Sequence, residues 1–491
     1  MKRASAGPEP VCKKAKKVTF SVPEEEIEEE DGPCEVQRML SHPVGVQPWG
    51  NIFLDDQGPE KAGRLRLGLG PMASFTDDLI LDVLGYLDPT SLALIGRVSP
   101  ALYAFSREDS LWRPLVLEEY GGHFHFHSTW RETFLLSIAK SRGLSSLELS
   151  PLLNVAGLYS DYLFQLWRCA SADLEQWTTV DNVDRRSDLT LEEFVEQYER
   201  PGKPVILTGI VPKWLAFSGE QAERTWTCEN FLKRFGDVSF KAGAVEMTLH
   251  EYWNYARQTQ EESPIYLFDN EFIEKAPPLG EEYQVESYFA KDYFSLLDDL
   301  PRIRPSYRWI LIGPPRSGST FHKDPNYTSA WNGVISGRKK WILFPPEHTP
   351  PGVIPSCDEL DVTTPISVTE WFLNFYSQAR KEKPYECVQK AGELLFIPHR
   401  WWHSALNLEE CVAVTQNYVN DQNLIHVLNF LKKCNKKRII EPLEARLEQT
   451  QPGLLAKLQA AHDKATHTSS SAWEKLMANT ESEPVFKFSF Q

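Results

Sequence analysis

The sequence is poor in paired cysteines, in positive charge and in long apolar runs. Its eight cysteines are scattered with no C-x-x-C pair, which excludes a disulfide framework or a zinc finger and suits a reducing compartment. No apolar run approaches the roughly 20 residues of a membrane span, and the N-terminus is too polar for a signal peptide. With a formal net charge of -16, the bulk surface does not suit nucleic acid, so a basic contact would have to be a local patch. We therefore expect a soluble intracellular protein without a membrane partner.

Aromatic residues and chain length, by contrast, allow large cores. The 491 residues are 42% hydrophobic and 12% aromatic, enough for two or more packed units. The composition and pattern predict four regions: a disordered leader (1–70), a helical module (71–170), a main domain (171–425) and C-terminal helices (426–491).

The leader holds a basic run at residues 13–17 and an acidic run at residues 24–31. The basic run is typical of a nuclear import signal and equally of a solvated charge run. We predict a nuclear protein that is also found in the cytoplasm. The tetrapeptide KVTF (17–20) is similar to the short docking peptide that adds to a sheet edge of type-1 protein phosphatase, which makes this phosphatase a candidate partner.

Residues 74–113 show the pattern of three short helices. Apolar residues recur at helical spacing from Leu79 to Leu87, Asp88-Pro89 ends that helix, and a third helix is expected to end near Leu111-Trp112. The order of features resembles an F-box, although Phe75-Thr76 replaces the usual Leu-Pro opening. The resemblance implies a Skp1-type adaptor of a cullin ubiquitin ligase as partner. The alternative is a plain helical cap on the next domain.

Three histidines alternate in GGHFHFHS, at His123, His125 and His127. On one face of a strand, three imidazoles can hold a metal ion. No carboxylate accompanies them, so we expect a polar strand face with Phe124 and Phe126 packed inward.

The main domain reads as β structure. The clearest predicted strands are PVILTGI (204–210), PIYLFD (264–269), RWILIG (308–313), ELLFIP (393–398) and CVAVTQNYV (411–419). Short strands that do not alternate with helices indicate an antiparallel barrel or jelly roll. Beyond Asn420 the pattern becomes helical. The predicted fold class is therefore mainly β, with helices added at both ends.

Two histidines and a carboxylate in this domain can share one metal ion. His322 and Asp324 are two residues apart and would lie on one face of a strand. His403 lies on a strand that is expected to return alongside. Such a facial arrangement leaves the opposite positions open, which suits Fe(II) oxygenases because an organic co-substrate and O2 bind there.

A buried lysine points to an anionic ligand. Lys339 and Lys340 lead directly into the apolar WILF, so at least one ammonium group enters the barrel and requires an anion such as a dicarboxylate. Strand alternation does not choose between the two. Further hydrogen-bonding groups share this interior: Asn332, Thr415 and Asn417.

Two long segments, GPPRSGSTFHKDPNYTSAWNGVISGRKKWILFP and GELLFIPHRWWHSALNLEECVAVTQNYV, resemble the JmjC family of Fe(II)- and 2-oxoglutarate-dependent oxygenases. Within that family the likeness is to the lysyl hydroxylase and arginine demethylase subgroup once called the phosphatidylserine receptor, over about residues 175 to 425. It implies a double-stranded β-helix of the jelly-roll or cupin type, with Fe(II), 2-oxoglutarate and O2 as cofactors. It also implies metal ligation and catalysis by His322, Asp324 and His403.

The same resemblance implies the co-substrate pocket. Lys339 rather than Lys340 would hold the distal carboxylate, and His399 would lie at the rim without being a ligand. The other residues implied in the pocket are Tyr266, Ser319, Asn332, Thr415 and Asn417.

The implied reaction is hydroxylation of a lysine or arginine side chain of a protein, or demethylation through hydroxylation of an N-methyl group. One alternative is an F-box adaptor of a ubiquitin ligase that uses the barrel only to bind targets. Another is a histone demethylase, although nothing resembles a chromatin-reading finger. The complete triad together with Lys339 favours an active enzyme.

Overall fold

The computed structural model describes residues 41–54, 58–143, 151–356 and 359–464. The predicted import signal and phosphatase-docking peptide lie outside these residues, and so does the acidic run. Nuclear localisation and the phosphatase partner therefore stay predictions.

The helices in the described part of the chain surround a set of strands. None of them is long and apolar enough to cross a membrane. In chain order they are α1 Gly58–Leu67, α2 Asp77–Gly85, α3 Pro89–Ile95, α4 Pro100–Phe105, α5 Asp109–Tyr120, α6 Trp130–Ser141, α7 Asp161–Ser171, α8 Leu191–Phe194, α9 Leu215–Ser218, α10 Cys228–Phe235, α11 Leu249–Ala256, α12 Phe272–Lys275, α13 Val368–Lys381, α14 Leu424–Lys433 and α15 Lys437–Thr450.

The strands lie between residues 184 and 418. They are β1 Asp184–Arg186, β2 Val205–Leu207, β3 Ser239–Ala242, β4 Val245–Thr248, β5 Leu267–Asp269, β6 Arg308–Gly313, β7 Gly318–His322, β8 Ser329–Ser336, β9 Arg338–Phe344, β10 Ile354–Pro355, β11 Val362–Thr363, β12 Tyr385–Lys390, β13 Leu394–Ile397, β14 Trp402–Asn407 and β15 Cys411–Tyr418.

Two sheets pack face to face and form the barrel. The larger has the order β1-β2-β13-β8-β15-β6-β5-β3-β4 and the smaller the order β12-β9-β14-β7, while β10 and β11 form a separate pair. Neighbouring strands are antiparallel except β1 and β2. Side chains from both sheets share one buried cluster, which includes Ala330, Trp341, Leu395 and Ala405. This architecture confirms the predicted jelly roll, and each of the five predicted strands is present.

The N-terminal helices have their own local signals. Asp88 caps α3 by accepting hydrogen bonds from the backbone amides of Thr90 and Ser91, and Ser99 caps α4. The expected third helix differs from the structure: α4 ends at Phe105, and Leu111-Trp112 opens α5. Trp112 is fully buried and donates its indole N–H to the carbonyl of Ser106, which fixes the α4–α5 turn.

Two further expectations differ in detail. The predicted disordered leader extended to residue 70. In the structure, helix α1 lies inside that range, and Val44, Val46 and Leu69 are buried in the core. The histidine-rich segment has Phe124 and Phe126 buried, as expected, but residues 123–126 form no strand.

The predicted C-terminal helices are present. α14 and α15 pack on the segment Tyr293–Leu297 through a buried apolar cluster, and residues 454–464 are also helical. These helices therefore extend the barrel at one end.

Candidate active site

Direct strand pairing brings His322 and His403 together. β7 and β14 are antiparallel, and these two histidines are partners in the register. A bulge follows, because Ser319 pairs with Ala405, so a step of three residues on β7 matches a step of two on β14. Gly318 permits this close approach, since a Cβ atom there would lie 1.9 Å from the carbonyl oxygen of Ala405. The bulge lets residues 319 and 322 face the same interior.

Asp324 reaches this place from a turn. β7 ends at His322, and Asp324 directly precedes the 3-10 turn Pro325–Tyr327, so the expected strand alternation is not what places it. The ligand atoms of His322, Asp324 and His403 nevertheless lie within 4.8 Å of one another. The two imidazole centroids are 4.3 Å apart, and His403 Nε2 is 4.0 Å from Asp324 Oδ2. These separations suit one ion at about 2.0–2.2 Å from each ligand atom.

Each histidine is oriented through its Nδ1 atom. His322 Nδ1 lies 2.7 Å from the carbonyl oxygen of Thr320, and His403 Nδ1 lies 3.1 Å from that of Trp401. A carbonyl oxygen only accepts, so Nδ1 carries the proton in both rings and Nε2 keeps its lone pair. Burial lowers the pKa of His403 well below its usual range, and a charge on His322 would lower it further. His403 is therefore neutral, the form that binds a metal.

Asp324 offers an oxygen that no described protein group satisfies. Its Oδ2 atom is buried and has no hydrogen-bond partner among the described residues. Burial raises the pKa of Asp324, whereas a positive charge on His322 or the neighbouring Asn417 amide would lower it. A buried carboxylate is costly unless a cation compensates it. Two free Nε2 atoms and this oxygen fit a divalent metal of the Fe(II) type.

The structure distinguishes the two lysines that alternation left undecided. Both are buried on β9. Lys339 Nζ donates to Tyr266 Oη at 2.8 Å and to Asn407 Oδ1 at 3.0 Å. Lys340 Nζ instead lies 2.6 Å from Glu386 Oε2. Within the described part of the chain, Lys339 therefore lacks a carboxylate partner, which leaves its charge available for an anionic ligand.

Asn407 is a site residue that sequence reasoning missed. It follows His403 by four residues on β14 and pairs with Lys339 in the register. Its Nδ2 atom donates to Ser317 Oγ at 2.8 Å, which orients Oδ1 toward Lys339. Even spacing on one strand puts His403 and Asn407 on the same face about 13 Å apart. That spacing was the available sequence signal. β14 thus joins the histidine end of the interior to the Lys339 end.

The remaining predicted pocket residues lie on the inner strands between these ends or beside the metal ligands. Asn332 and Thr415 are register partners, and Asn332 Oδ1 is buried without a partner among the described residues. The Thr415 hydroxyl donates to the carbonyl of Trp331 at 2.8 Å. Ser319 faces the interior beside Ala405. The unpaired amide oxygen of Asn332 needs a donor that the described residues do not supply.

Asn417 belongs to the histidine end. Its Nδ2 atom donates to Thr328 Oγ1 at 2.8 Å, and its amide lowers the pKa of Asp324. It therefore lies beside the carboxylate that is predicted to bind the metal. As contacts of 2-oxoglutarate, Asn417 and the other pocket residues stay predictions.

His399 lies beside the site in a cluster with other histidines. Its ring centroid is 4.7 Å from that of His426 on α14. Burial lowers the pKa of His399 to about 3, and the charges of His426 and Arg400 lower it as well. The group of potential ligands found in the described residues contains His322, Asp324 and His403, without His399.

A jelly roll with a two-histidine, one-carboxylate cluster at one end and an uncompensated buried lysine at the other defines a cupin-type, metal-dependent oxygenase. Comparison with known proteins agrees. A model of the cupin-like domain matches residues 190–423, and a model of the F-box-like domain matches residues 77–118.

Three relatives illustrate the likeness. The arginine-specific demethylase JMJ22 of Arabidopsis thaliana is 41% identical over 463 residues, covering 91% of this chain and 88% of that protein. The bifunctional arginine demethylase and lysyl-hydroxylase psr-1 of Caenorhabditis elegans is 35% identical, covering 58% and 72%. The 2-oxoglutarate and iron-dependent oxygenase JMJD4 of Gallus gallus is 26% identical, covering 52% and 63%.

The chain therefore belongs to the JmjC family of cupin-like proteins and carries an F-box-like domain. This confirms the predicted family and the predicted class of enzyme, an oxygenase of the hydroxylase and demethylase kind.

Proposed function

We propose that this chain is an Fe(II)- and 2-oxoglutarate-dependent dioxygenase that hydroxylates lysine or arginine side chains of a protein, or demethylates them through N-methyl hydroxylation. One observation carries the proposal: both Nε2 atoms and the unsatisfied Asp324 oxygen converge at one end of the barrel. The other end holds Lys339, which has no carboxylate partner among the residues that the structure describes. The names of the relatives, which include arginine demethylases and a lysyl-hydroxylase, support the substrate class.

The roles of the residues follow from their contacts. His322, Asp324 and His403 would hold Fe(II), and Lys339 would bind the distal carboxylate of 2-oxoglutarate. When bound, the metal, 2-oxoglutarate and O2 supply oxidative decarboxylation to succinate and CO2 together with oxygen insertion into a C–H bond. Tyr266 and Asn407 keep the Lys339 ammonium aimed into the interior.

Apolar side chains keep water away from this chemistry. Trp341, Leu343 and Ile397 are buried in the cluster between the two sheets. In such a dry interior the Lys339–carboxylate attraction is stronger than in water. The protein thus orients the co-substrate and excludes solvent without a separate acid or base.

The direct test is succinate release by the purified full chain with Fe(II), 2-oxoglutarate and ascorbate. We expect slow turnover without added substrate, faster turnover with lysine- or arginine-containing peptides, and none in His322→Ala. His123→Ala is the matched control, because 71% of that side chain is exposed and it lies outside the barrel site. Absence of both iron binding and turnover in the wild type would contradict the proposal.

A second function is supported by the surface of the F-box-like domain. Several large apolar side chains on α2, α3 and the adjoining turns are exposed: Leu79, Val83, Tyr86, Leu94 and Val98. Tyr86 is 91% exposed and Val98 is 71% exposed. Apolar patches of this kind mark protein contacts. We propose that they bind a Skp1-type adaptor, so that the two functions coexist in one chain.

Replacing Tyr86 and Leu94 together with aspartate is expected to weaken adaptor binding at least about tenfold, because two apolar contacts become charged groups in the contact. Isothermal titration calorimetry of the full chain with a Skp1-type adaptor measures the change in affinity. Exposed Leu152 and Leu153, changed in the same way, provide the control. Equal binding by both double variants would contradict this role.

A further inference from the structure

The loops that carry the metal ligands are covered by α14 and the turn that follows it. Phe430 on α14 contacts Tyr327 with tilted rings whose centroids are 4.3 Å apart. The turn after α14 touches the same loop, because Lys436 Nζ lies 3.4 Å from Asn326 Oδ1. Asn326 and Tyr327 follow Asp324 by two and three residues. The α14–α15 turn therefore borders the metal-binding end of the barrel.

This end is where a substrate would enter. Lys339 lies at the opposite end, four residues along β14 from His403 in the register. A dicarboxylate bound between Lys339 and the metal would fill the interior. The target side chain would then approach from the end at which β7 finishes and β14 begins.

The α14–α15 turn is strongly basic. Five of the seven residues 432–438 are lysine or arginine, in a chain of net charge -16. Lys432 pairs with Glu444 at 2.9 Å. Lys433, Lys437 and Arg438 are exposed and form no ion pair with any residue that the structure describes. Their charges are therefore available to a partner.

Arg400 extends this charge toward the metal ligands. It precedes His403 by three residues, lies over the Tyr327 ring at 5.7 Å, and has a buried Nε atom without a hydrogen-bond partner in the described ranges. Glu359, an acidic group nearby, accepts a hydrogen bond from the Tyr327 hydroxyl and is 3.8 Å from Lys323, and the charges of Lys433 and Arg400 also lower its pKa. We call the following residues the mouth patch: Arg400, Lys433, Lys436, Lys437 and Arg438.

The backbone around the patch adopts left-handed conformations at several positions. Non-glycine residues with left-handed φ cluster here: Asn326 (59°), Tyr327 (61°), Glu359 (56°), Arg400 (66°) and Asn435 (52°). Each such conformation costs about 1–3 kcal/mol and persists only when its surroundings impose it. Strain of this kind is typical of a pre-organised binding surface.

We propose that the mouth patch binds an acidic segment of the protein substrate, next to the side chain that is oxidised. This substrate class rests on the proposed oxygenase function. Aspartate or glutamate residues flanking the target would contact the α14–α15 turn and Arg400. A short acidic peptide suits the patch better than a nucleic acid, because a long polyanion would extend onto the negatively charged remainder of the surface.

The test is fluorescence anisotropy with the full chain and a short labelled peptide that has one lysine flanked by glutamates. We expect binding that weakens with added salt, and that weakens at least about tenfold in Lys433→Glu/Lys437→Glu/Arg438→Glu. The control is Lys213→Glu/Lys233→Glu/Lys241→Glu, which reverses three exposed charges elsewhere. This control variant is expected to bind the peptide with wild-type affinity. A loss of affinity in the first variant alone would then be a local effect and not an effect of the changed net charge.

Two outcomes would overturn the proposal. In one, the same peptide with glutamines binds equally well. In the other, oligothymidylate of equal charge binds more tightly than the acidic peptide, which would make the patch a nucleic-acid site. Succinate release in the same preparations keeps the two proposals apart. Turnover without acidic-peptide binding contradicts only the mouth patch, whereas peptide binding without iron binding or turnover contradicts the oxygenase.

Discussion

Lys339→Met is expected to raise the apparent KM for 2-oxoglutarate about 100- to 4,000-fold while leaving the fold intact. Methionine keeps the length of the side chain but removes the charge that would pair with the distal carboxylate. Loss of a buried, charge-assisted contact costs about 3–5 kcal/mol, and each 1.4 kcal/mol is a factor of ten. Because the ammonium has no carboxylate partner in the described protein, its removal does not lower the unfolding temperature of the ligand-free chain.

Lys340→Met, one residue away, is expected to do the reverse. It leaves Glu386 buried with its closest cation removed, since Lys340 Nζ lies 2.6 Å from Glu386 Oε2. Breaking such a pair destabilises a protein by about 3–5 kcal/mol. The KM of the molecules that remain folded should change little. Adding Glu386→Gln is expected to restore part of the stability, because the unpaired charge is then gone.

Thermal unfolding and succinate release, measured together on the three variants, check both statements. If Lys339→Met kept the wild-type KM for 2-oxoglutarate, Lys339 would not belong to the co-substrate site. A raised KM for 2-oxoglutarate in Lys340→Met, without any loss of stability, would mean that Lys340 and not Lys339 binds the co-substrate.

This pair shows where sequence reasoning ends. The motif around Lys339 and Lys340 predicts a buried cation, but the face of each side chain depends on partners from other strands. Glu386 comes from β12 and Asn407 from β14, both paired with β9. No local pattern reveals that one lysine is neutralised and the other is not. The family resemblance implied Lys339 as the residue that binds the co-substrate. The structure shows how the two lysines differ: Lys340 has a carboxylate partner, and Lys339 has none among the described residues.

The three candidate metal ligands were predicted from their residue types and spacing, but the argument from spacing holds only in part. His322 and Asp324 were expected to alternate on one strand, whereas the strand ends at His322. The pairing of β7 with β14 and the turn after His322 bring the three side chains together. Residue types therefore indicated the chemistry, and tertiary contacts determined the geometry.

The mouth patch was not predicted, although four of its five residues lie within residues 433–438 of the sequence. A net charge of -16 predicts no basic surface beyond a local patch, and it does not say where such a patch lies. Nothing local shows that the α14–α15 turn lies beside Asn326, a contact across the C-terminal helices. The F-box-like domain shows the same limit: helical spacing predicted α2 and α3, while the start of α5 depends on the buried Trp112.

Asp324→Asn is expected to abolish metal-induced stabilisation and, in metal-free protein, to unfold at a temperature equal to or above that of the wild type. In the wild type, Mn(II), a redox-stable probe, binds only the folded chain and stabilises it by about 2.7 kcal/mol at one hundred times its Kd. Asparagine keeps the shape of the side chain but loses the anionic oxygen. Succinate release should fall below detection for the same reason.

The metal-free comparison has a definite pH dependence. Burial raises the pKa of Asp324 above its ordinary value of 3.8. The folded chain therefore binds this proton more tightly than the unfolded chain, and wild-type stability falls as pH rises from that value through the raised pKa. Asparagine does not titrate. The advantage of Asp324→Asn over the wild type should be present at neutral pH and disappear on acidification.

Thermal unfolding with and without Mn(II), at neutral and acidic pH, measures both effects, with exposed Asp237→Asn as the control that keeps the metal response. A metal-induced rise in Asp324→Asn as large as in the wild type would exclude Asp324 as a ligand. A metal-free variant clearly less stable than the wild type would mean that Asp324 stabilises the fold through protein contacts. The expected result is lower metal affinity with undiminished metal-free stability. This result would mean that Asp324 binds a cation and does not stabilise the fold, because a carboxylate that stabilises the fold has its buried oxygens satisfied by protein groups.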